Sequence, residues 1–175
     1  MSLSIVVNCA RIVHPASRVE NISEVVFDKV IGVNLKLTFL RGTHLVTKGA
    51  LTLMLRKKNA TGRTILNIAS VSGKGGYPFL SAYSASKGAV ISFTKSVALK
   101  VALKGIRVNN ILLGYTDTHM TQGTPNYIRN RIISTIPMRR MATALEISET
   151  IVFMWAPRST YMTGSSVLVS GGSYL

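Results

Sequence analysis

Tyr83 and Lys87 stand four positions apart, and Ser70 stands thirteen positions before the tyrosine. On a helix, residues four apart lie on one face, about one turn apart. An ammonium beside a phenol favours the phenolate and so lowers a phenol pKa that starts near ~10. The spacing therefore predicts a proton donor, Tyr83, and beside it a group, Lys87, that lowers its pKa. This chemistry suits proton transfer to or from an oxygen while something else moves a hydride.

Ser70 ends an apolar run over residues 64–70 that predicts a buried strand. Open α/β sheets place their ligands at the carboxyl ends of strands, so the Ser70 hydroxyl is expected to hold a carbonyl oxygen there. Each residue also has a purely structural explanation. Ser70 could simply end a strand, and Tyr83 with Lys87 could be a surface pair on a helix.

The elements that must position these residues alternate between strands and helices. Apolar runs predict strands over 4–10, 64–70, 106–113 and 167–169. Helical patterns cover 23–58, with a bend near Gly42 or Gly49 left open, then 82–104 and the stretch to Trp155 that opens with a Thr143–Glu146 capping box. Residues 71–80 are expected to be a glycine-containing loop, and 115–142 a short helical excursion. This order predicts one α/β domain over residues 1–175, with a Rossmann-like, doubly wound parallel sheet.

Composition narrows the class of protein. The 175 residues carry 21 Lys and Arg against 6 Asp and Glu, a net charge of +15, but the basic residues are scattered and no nucleic-acid-binding motif accompanies them. We therefore predict no specific nucleic-acid partner and no metal site. Cys9 is the only cysteine, and neither a signal peptide nor an apolar run of about 18 residues is present. The expectation is an intracellular, cytoplasmic protein without a membrane partner.

One expected feature of a dinucleotide-binding sheet is missing. Such sheets normally begin with a strand, a glycine-rich turn and a helix whose N-terminus takes the pyrophosphate. The sequence has no G-x-G-x-x-G or similar pattern near its start. The chain is therefore expected to open in the middle of such a fold, without the N-terminal βαβ cofactor segment.

These residues together resemble the short-chain dehydrogenase/reductase family, and they correspond to its C-terminal, catalytic part. The resemblance covers essentially the whole chain, in five co-linear places. The matching segments are Asn8-Cys9-Ala10-Arg11, Val33-Asn34-Leu35, Ser70 with Tyr83 and Lys87, Ile106-Arg107-Val108-Asn109 with Gly114-Tyr115-Thr116-Asp117-Thr118, and Tyr161-Met162-Thr163-Gly164 with Gly171-Gly172.

The resemblance implies an NAD(P)-dependent oxidoreductase acting on an alcohol or ketone. Tyr83 would be the general acid/base, Lys87 would lower its pKa, Ser70 would orient the substrate oxygen, and Asn34 would hold a water in a proton relay. NAD or NADP would be held by Asn8, Ala10, Asn34, Tyr83, Lys87, Gly114, Thr116 and Thr118. Ser70, Tyr77, Phe79 and Met120 would line the substrate pocket. Without the glycine-rich turn, cofactor binding is expected to be weakened.

Two other functions stay open. The chain could be a catalytically impaired remnant or isoform that acts through association with a full-length relative, because Arg11 replaces a family glycine and Leu113 a family proline. It could also be a basic binding protein that uses the fold as a scaffold. Whichever function holds, a homo-oligomer is expected through the helices over 23–58 and 82–104.

Overall fold

The protein is built on one parallel sheet. The computed structural model describes residues 3–10, 16–31, 40–56 and 60–174. Within these ranges the strands lie in the order β1-β2-β3-β4. They are β1 Ile5–Asn8, β2 Arg63–Ser70, β3 Ile106–Leu113 and β4 Ser166–Val169, and every neighbouring pair is parallel. The predicted α/β fold with a Rossmann-like parallel sheet is therefore confirmed.

Helices connect and cover these strands. They are α1 Glu24–Ile31, α2 Leu40–Met54, α3 Ser72–Gly75, α4 Ser81–Val101, α5 His119–Gln122, α6 Asn126–Thr135 and α7 Ala144–Trp155. Short 3-10 turns cover Val19–Asn21, Ala102–Lys104 and Pro157–Ser159. Helix α2 runs through both Gly42 and Gly49, and the part of the predicted 23–58 helix that falls on 32–39 and 57–58 lies outside the described residues. In the ranges described, every helix is too short or too polar to cross a bilayer.

The hydrophobic core has a layer on each face of the sheet. Every residue of β2 and β3 is buried, as expected for strands that are covered on both sides. On one face, Ile65 and Val108 pack with residues of α2 and α4. On the other face, Leu66 and Ile111 pack against α7. Burying one such side chain contributes about 1.5–3 kcal/mol, so these two layers fix the sheet between its helices.

Helix α3 departs from the sequence expectation of a plain loop over 71–80. Ser72–Gly75 forms a single helical turn, which ends at Gly76 with a positive φ of 76°. A Cβ on Gly73 would lie 2.6 Å from the backbone carbonyl carbon of Lys87 and 2.8 Å from its Cβ. Only glycine allows this approach, so α3 is pressed directly against the backbone of α4 at the lysine.

Helix ends follow the sequence signals. Helix α4 passes into the 3-10 turn at Ala102 and stops at Gly105, whose φ of 75° is left-handed. At the start of α7, Thr143 Oγ1 accepts from the Glu146 N–H at 3.2 Å, and the Glu146 carboxylate accepts from the Thr143 N–H at 2.8 Å. This reciprocal pair is the predicted capping box.

Candidate active site

A pocket opens at the carboxyl ends of β2 and β3. Its volume is about 130 Å³. It is lined by Ala69, Ser70, Val71, Ser72, Tyr77, Leu80, Tyr83, Leu113, Gly114, Tyr115, Thr116 and Thr121. Ser70 lies directly beside Leu113 in the sheet, since the two residues are partners in the β2–β3 register. The predicted serine and tyrosine therefore line the same pocket as residues from the end of β3.

Ser70 is the last residue of β2, and its side chain is hydrogen-bonded to α3. Ser70 is 9% exposed. Ser70 Oγ accepts a hydrogen bond from the Ser72 hydroxyl at 2.9 Å and another from the Ser72 backbone N–H at 3.3 Å. The hydroxyl is thus fixed in the pocket wall by a residue that sequence reasoning did not select.

Tyr83 and Lys87 lie one turn apart on the buried face of α4. Tyr83 is 8% exposed and lines the pocket, whereas Lys87 is 1% exposed and is not among the lining residues. Lys87 Nζ donates to the Ile68 carbonyl at 3.0 Å and sits 5.8 Å from the centre of the Tyr83 ring. A buried ammonium is tolerated only with such partners, because desolvating an unpaired charge is costly.

A group of tyrosines forms the aromatic side of the pocket. The Tyr77 ring packs 6.1 Å from the Tyr115 ring and 6.1 Å from the Tyr174 ring. Burial, followed by contact with the Tyr77 hydroxyl, raises the pKa of Tyr115 far above its usual range. Burial and Tyr77 raise the pKa of Tyr174 to about 12. These phenols stay protonated at neutral pH, so they can offer hydrogen bonds without charge.

Tyr115 and Tyr174 are absent from the sequence-based list of site residues. Tyr115 lies two residues beyond Leu113, the sheet partner of Ser70, and this closeness to the end of β3 is the signal in the sequence that could have identified it. Tyr174 lies five residues beyond the end of β4, and no local pattern points to it.

Gly114 closes the pocket at the end of β3. Its N–H donates to the Val169 carbonyl at 2.9 Å, and a Cβ there would lie 2.8 Å from Ser170 Cα. Thr116 follows, 5% exposed, with its carbonyl accepting from Thr121 Oγ1 at 2.9 Å. Thr118 lies just before α5, outside the set of residues that line the pocket.

The predicted cofactor residues at the end of β1 lie further along the same edge of the sheet. The Asn8 amide donates to Asn67 Oδ1 at 2.7 Å, and the Asn67 amide donates to Thr94 Oγ1 at 2.7 Å. This chain of amides ties β1 to β2 and to α4. Ala10 is exposed just after β1. Asn8 is thus engaged in holding the sheet together.

The remaining predicted residues are placed as follows. Tyr77 lines the pocket, whereas Phe79 is 53% exposed, has a positive φ of 66° and is not among the lining residues that the structure describes. Met120 belongs to the short helix α5. Asn34 and Arg11 lie outside the described residues.

The donor set at this edge fits a nicotinamide cofactor beside a carbonyl substrate. A phenol and a primary hydroxyl both line the pocket, a buried lysine lies 5.8 Å from the centre of the phenol ring, and Gly114 adds a close-packed backbone turn to the lining. The carboxyl edge of a parallel sheet is also where such ligands bind. Proton transfer at an oxygen is the chemistry that these groups can support.

Comparison of the sequence with models of known protein families agrees with the fold and the pocket. The family model described as enoyl-(acyl carrier protein) reductase matches residues 1–174. The chain belongs to the short-chain dehydrogenase/reductase family.

Individual relatives are similar over almost the whole chain. The (3R)-3-hydroxyacyl-CoA dehydrogenase of Homo sapiens is 37% identical over 98% of this chain and 63% of its own length. The acetoacetyl-CoA reductase of Allochromatium vinosum is 39% identical over 99% of this chain and 67% of its own. A crystal structure of the 3-ketoacyl-(acyl-carrier-protein) reductase from Brucella melitensis, complexed with NADH, has a TM-score of 0.84 and 28% identity, covering 99% of this chain and 68% of that one. The chain thus spans about two thirds of the length of these relatives.

Proposed function

We propose that this chain supplies the proton-transfer site of an NAD(P)-dependent oxidoreductase that interconverts a 3-oxoacyl thioester and its 3-hydroxyacyl counterpart. The observation that carries this proposal is the pocket that Ser70 and Tyr83 both line, with Lys87 Nζ 5.8 Å from the centre of the phenol ring. Relatives that act on 3-hydroxyacyl-CoA and acetoacetyl-CoA supply the substrate class.

In the reducing direction, the Ser70 hydroxyl donates a hydrogen bond to the substrate carbonyl oxygen and Tyr83 gives that oxygen its proton. Lys87 stabilises the resulting phenolate by charge attraction, which is strong because both groups are shielded from water. In the oxidising direction, Tyr83 takes the proton back. A nicotinamide cofactor, when bound, supplies or accepts the hydride.

The residues that would hold the cofactor are Lys87 at the ribose, Gly114 and Thr116 at the nicotinamide end, and Asn8 with Ala10 further along the edge. The apolar and aromatic lining contributed by Leu80, Leu113 and Tyr115 suits an acyl chain. A net charge of +15 favours encounter with a phosphate-bearing thioester carrier.

Replacing Tyr83 by Phe tests the function. The ring and its packing stay while the proton donor is lost, so kcat for acetoacetyl-CoA reduction with NADH or NADPH should fall by about 10²–10⁴-fold. Lys87→Met should lower kcat as well. Tyr161→Phe is the matched control, because Tyr161 is fully exposed and should leave the rate unchanged. A wild-type chain that turns over no acetoacetyl-CoA with either nucleotide would refute the proposal.

A second candidate, association with a longer family member, is favoured by the outer edge of β1. Within the described residues β1 pairs only with β2, and its Val7 is 37% exposed. An unpaired apolar edge can accept another strand. Calorimetry separates the two functions. Saturable micromolar binding of NADH or NADPH by the chain alone supports the oxidoreductase, and binding that appears only after a full-length relative is added supports association.

A further inference from the structure

Ser72 makes two hydrogen bonds to one atom of the candidate active site. Its hydroxyl donates to Ser70 Oγ at 2.9 Å, and its backbone N–H donates to the same oxygen at 3.3 Å. Ser72 is 4% exposed, so neither bond is exchanged freely for water. The residue is held in place by α3, whose Gly73 touches the backbone of Lys87.

These two bonds determine which further hydrogen bond the Ser70 hydroxyl can make. A serine hydroxyl has one proton to donate and two lone pairs that accept. Ser72 fills both accepting positions, so the proton of Ser70 is the one hydrogen-bonding capacity left over. Because Ser70 lines the pocket, that proton is available to the pocket. A carbonyl oxygen, which only accepts, is the partner that such a donor selects.

We propose that Ser72 is a positioning residue that holds Ser70 as a hydrogen-bond donor to the carbonyl oxygen of the substrate, an inference that rests on the proposed function. Without the Ser72 hydroxyl, one lone pair of Ser70 is vacant and its O–H can turn among the three staggered positions. Ser70 then presents an acceptor to the substrate for part of the time. Although Ser72 lines the pocket, its hydroxyl is engaged by Ser70, so we expect its loss to change binding of the acyl chain little.

Steady-state kinetics of acetoacetyl-CoA reduction give the first test. Ser72→Ala should lower kcat about tenfold and leave KM within about twofold, whereas Ser70→Ala should lower kcat by about 10²–10³-fold. Ser72→Thr, which keeps the hydroxyl, should restore most of the loss. The double variant should have the same kcat as Ser70→Ala alone, because Ser72 acts on kcat only through Ser70.

A matched control separates this effect from the loss of a buried hydroxyl. Ser159 is 2% exposed, and its hydroxyl donates to the Met154 and Ala156 carbonyls, remote from the pocket in the 3-10 turn after α7. Ser159→Ala should lower the melting temperature without changing kcat. Equal losses of kcat in Ser72→Ala and Ser159→Ala would overturn the inference.

The second test needs no turnover. A hydrogen bond to a carbonyl lowers its stretching frequency, so infrared difference spectra of bound acetoacetyl-CoA report the donor directly. The ketone stretching frequency should be lowest in the wild type and higher in Ser72→Ala. It should be highest, and equal, in Ser70→Ala and the double variant. A band that Ser72→Ala leaves in place, or a Ser72→Ala effect that persists without Ser70, overturns the inference.

The two readouts keep the inference and the proposed function apart. If the ketone binds with the expected band shifts but neither nucleotide supports turnover, the proposed function fails and the role of Ser72 stands. If turnover occurs and the band is insensitive to Ser72, the proposed function stands and the role of Ser72 falls. If no bound ketone is seen, the Ser70 proton has no acceptor to serve, and both fail.

Discussion

Replacing Gly73 by Ala tests whether close contact between α3 and α4 holds the pocket together. The added methyl would lie 2.6 Å from the Lys87 carbonyl carbon, 2.8 Å from Lys87 Cβ and 2.8 Å from the Gly88 nitrogen. All three atoms belong to the backbone of α4 or are attached directly to it, so no side-chain rotation relieves the clash. Either α3 or α4 must shift.

The size of the effect follows from two opposing contributions. Overpacking a tight contact costs about 1–3 kcal/mol, while alanine gains about 0.5–1 kcal/mol over glycine through its smaller loss of backbone entropy. We therefore expect Gly73→Ala to lower the free energy of unfolding by up to about 2.5 kcal/mol. For a chain of this size, each kcal/mol lowers the melting temperature by about 2–4 °C.

Gly49→Ala is the matched control with the opposite sign. Gly49 lies inside α2, and no atom falls within 4 Å of the position of its missing Cβ. The same substitution should therefore raise the free energy of unfolding by about 0.5–1 kcal/mol. Urea unfolding followed by circular dichroism measures both variants. Equal changes of one sign in the two variants, or a stabilised Gly73→Ala, would refute the contact between α3 and α4.

Two further predictions concern acid stability and self-association. Glu146 binds Arg140 and caps the Thr143 N–H, and these contacts lower its pKa from 4.5 to about 2. Between these values the unfolded chain binds more protons, so stability is present above pH 4.5 and falls as the pH drops towards 2. In Glu146→Gln, the midpoint of urea unfolding should therefore change less between pH 4.5 and pH 2 than it does in the wild type. An equal fall of the midpoint in both proteins would contradict this prediction. We also expect a homo-oligomer through the helices over 23–58 and 82–104, which include α1, α2 and α4. Leu99→Glu, at a site 83% exposed on α4, should lower the mass from light scattering, and Val19→Glu, at a site 71% exposed, should not. A monomeric wild type at micromolar concentration would contradict the expected oligomer.

The strands and the long helix α4 could be predicted because their signals are local. Residues 64–70 and 106–113 are nearly continuous apolar runs, and Gly105 separates α4 from the next strand. The meeting of Ser70 with Tyr83 in one pocket also followed from the sequence. A serine at the carboxyl end of a parallel strand and a tyrosine at the start of the next helix are brought to the same edge by the crossover itself.

What could not be predicted depends on contacts between distant parts of the chain. Helix α3 is too short to carry a periodic signal, and it forms because Gly73 fits against α4. Tyr174 joins the aromatic group only after β4 has paired with β3. The Ser72 hydroxyl gained a role through its place beside Ser70, and a serine within a glycine-rich segment carries no such information by its type.

The groups that we propose to handle the proton are positioned by elements that contact one another. Ser70 pairs with Leu113 in the sheet and is held by Ser72, while Gly73 on the same short helix touches Lys87. These contacts join β2, β3, α3 and α4, and none of them involves the outer edge of β1. Lys87 belongs to both proposed sets, because it would also hold the cofactor ribose. We therefore expect a change at the edge of β1 to act on cofactor binding alone, and a change in α3 that displaces Lys87 to act on both kcat and cofactor binding.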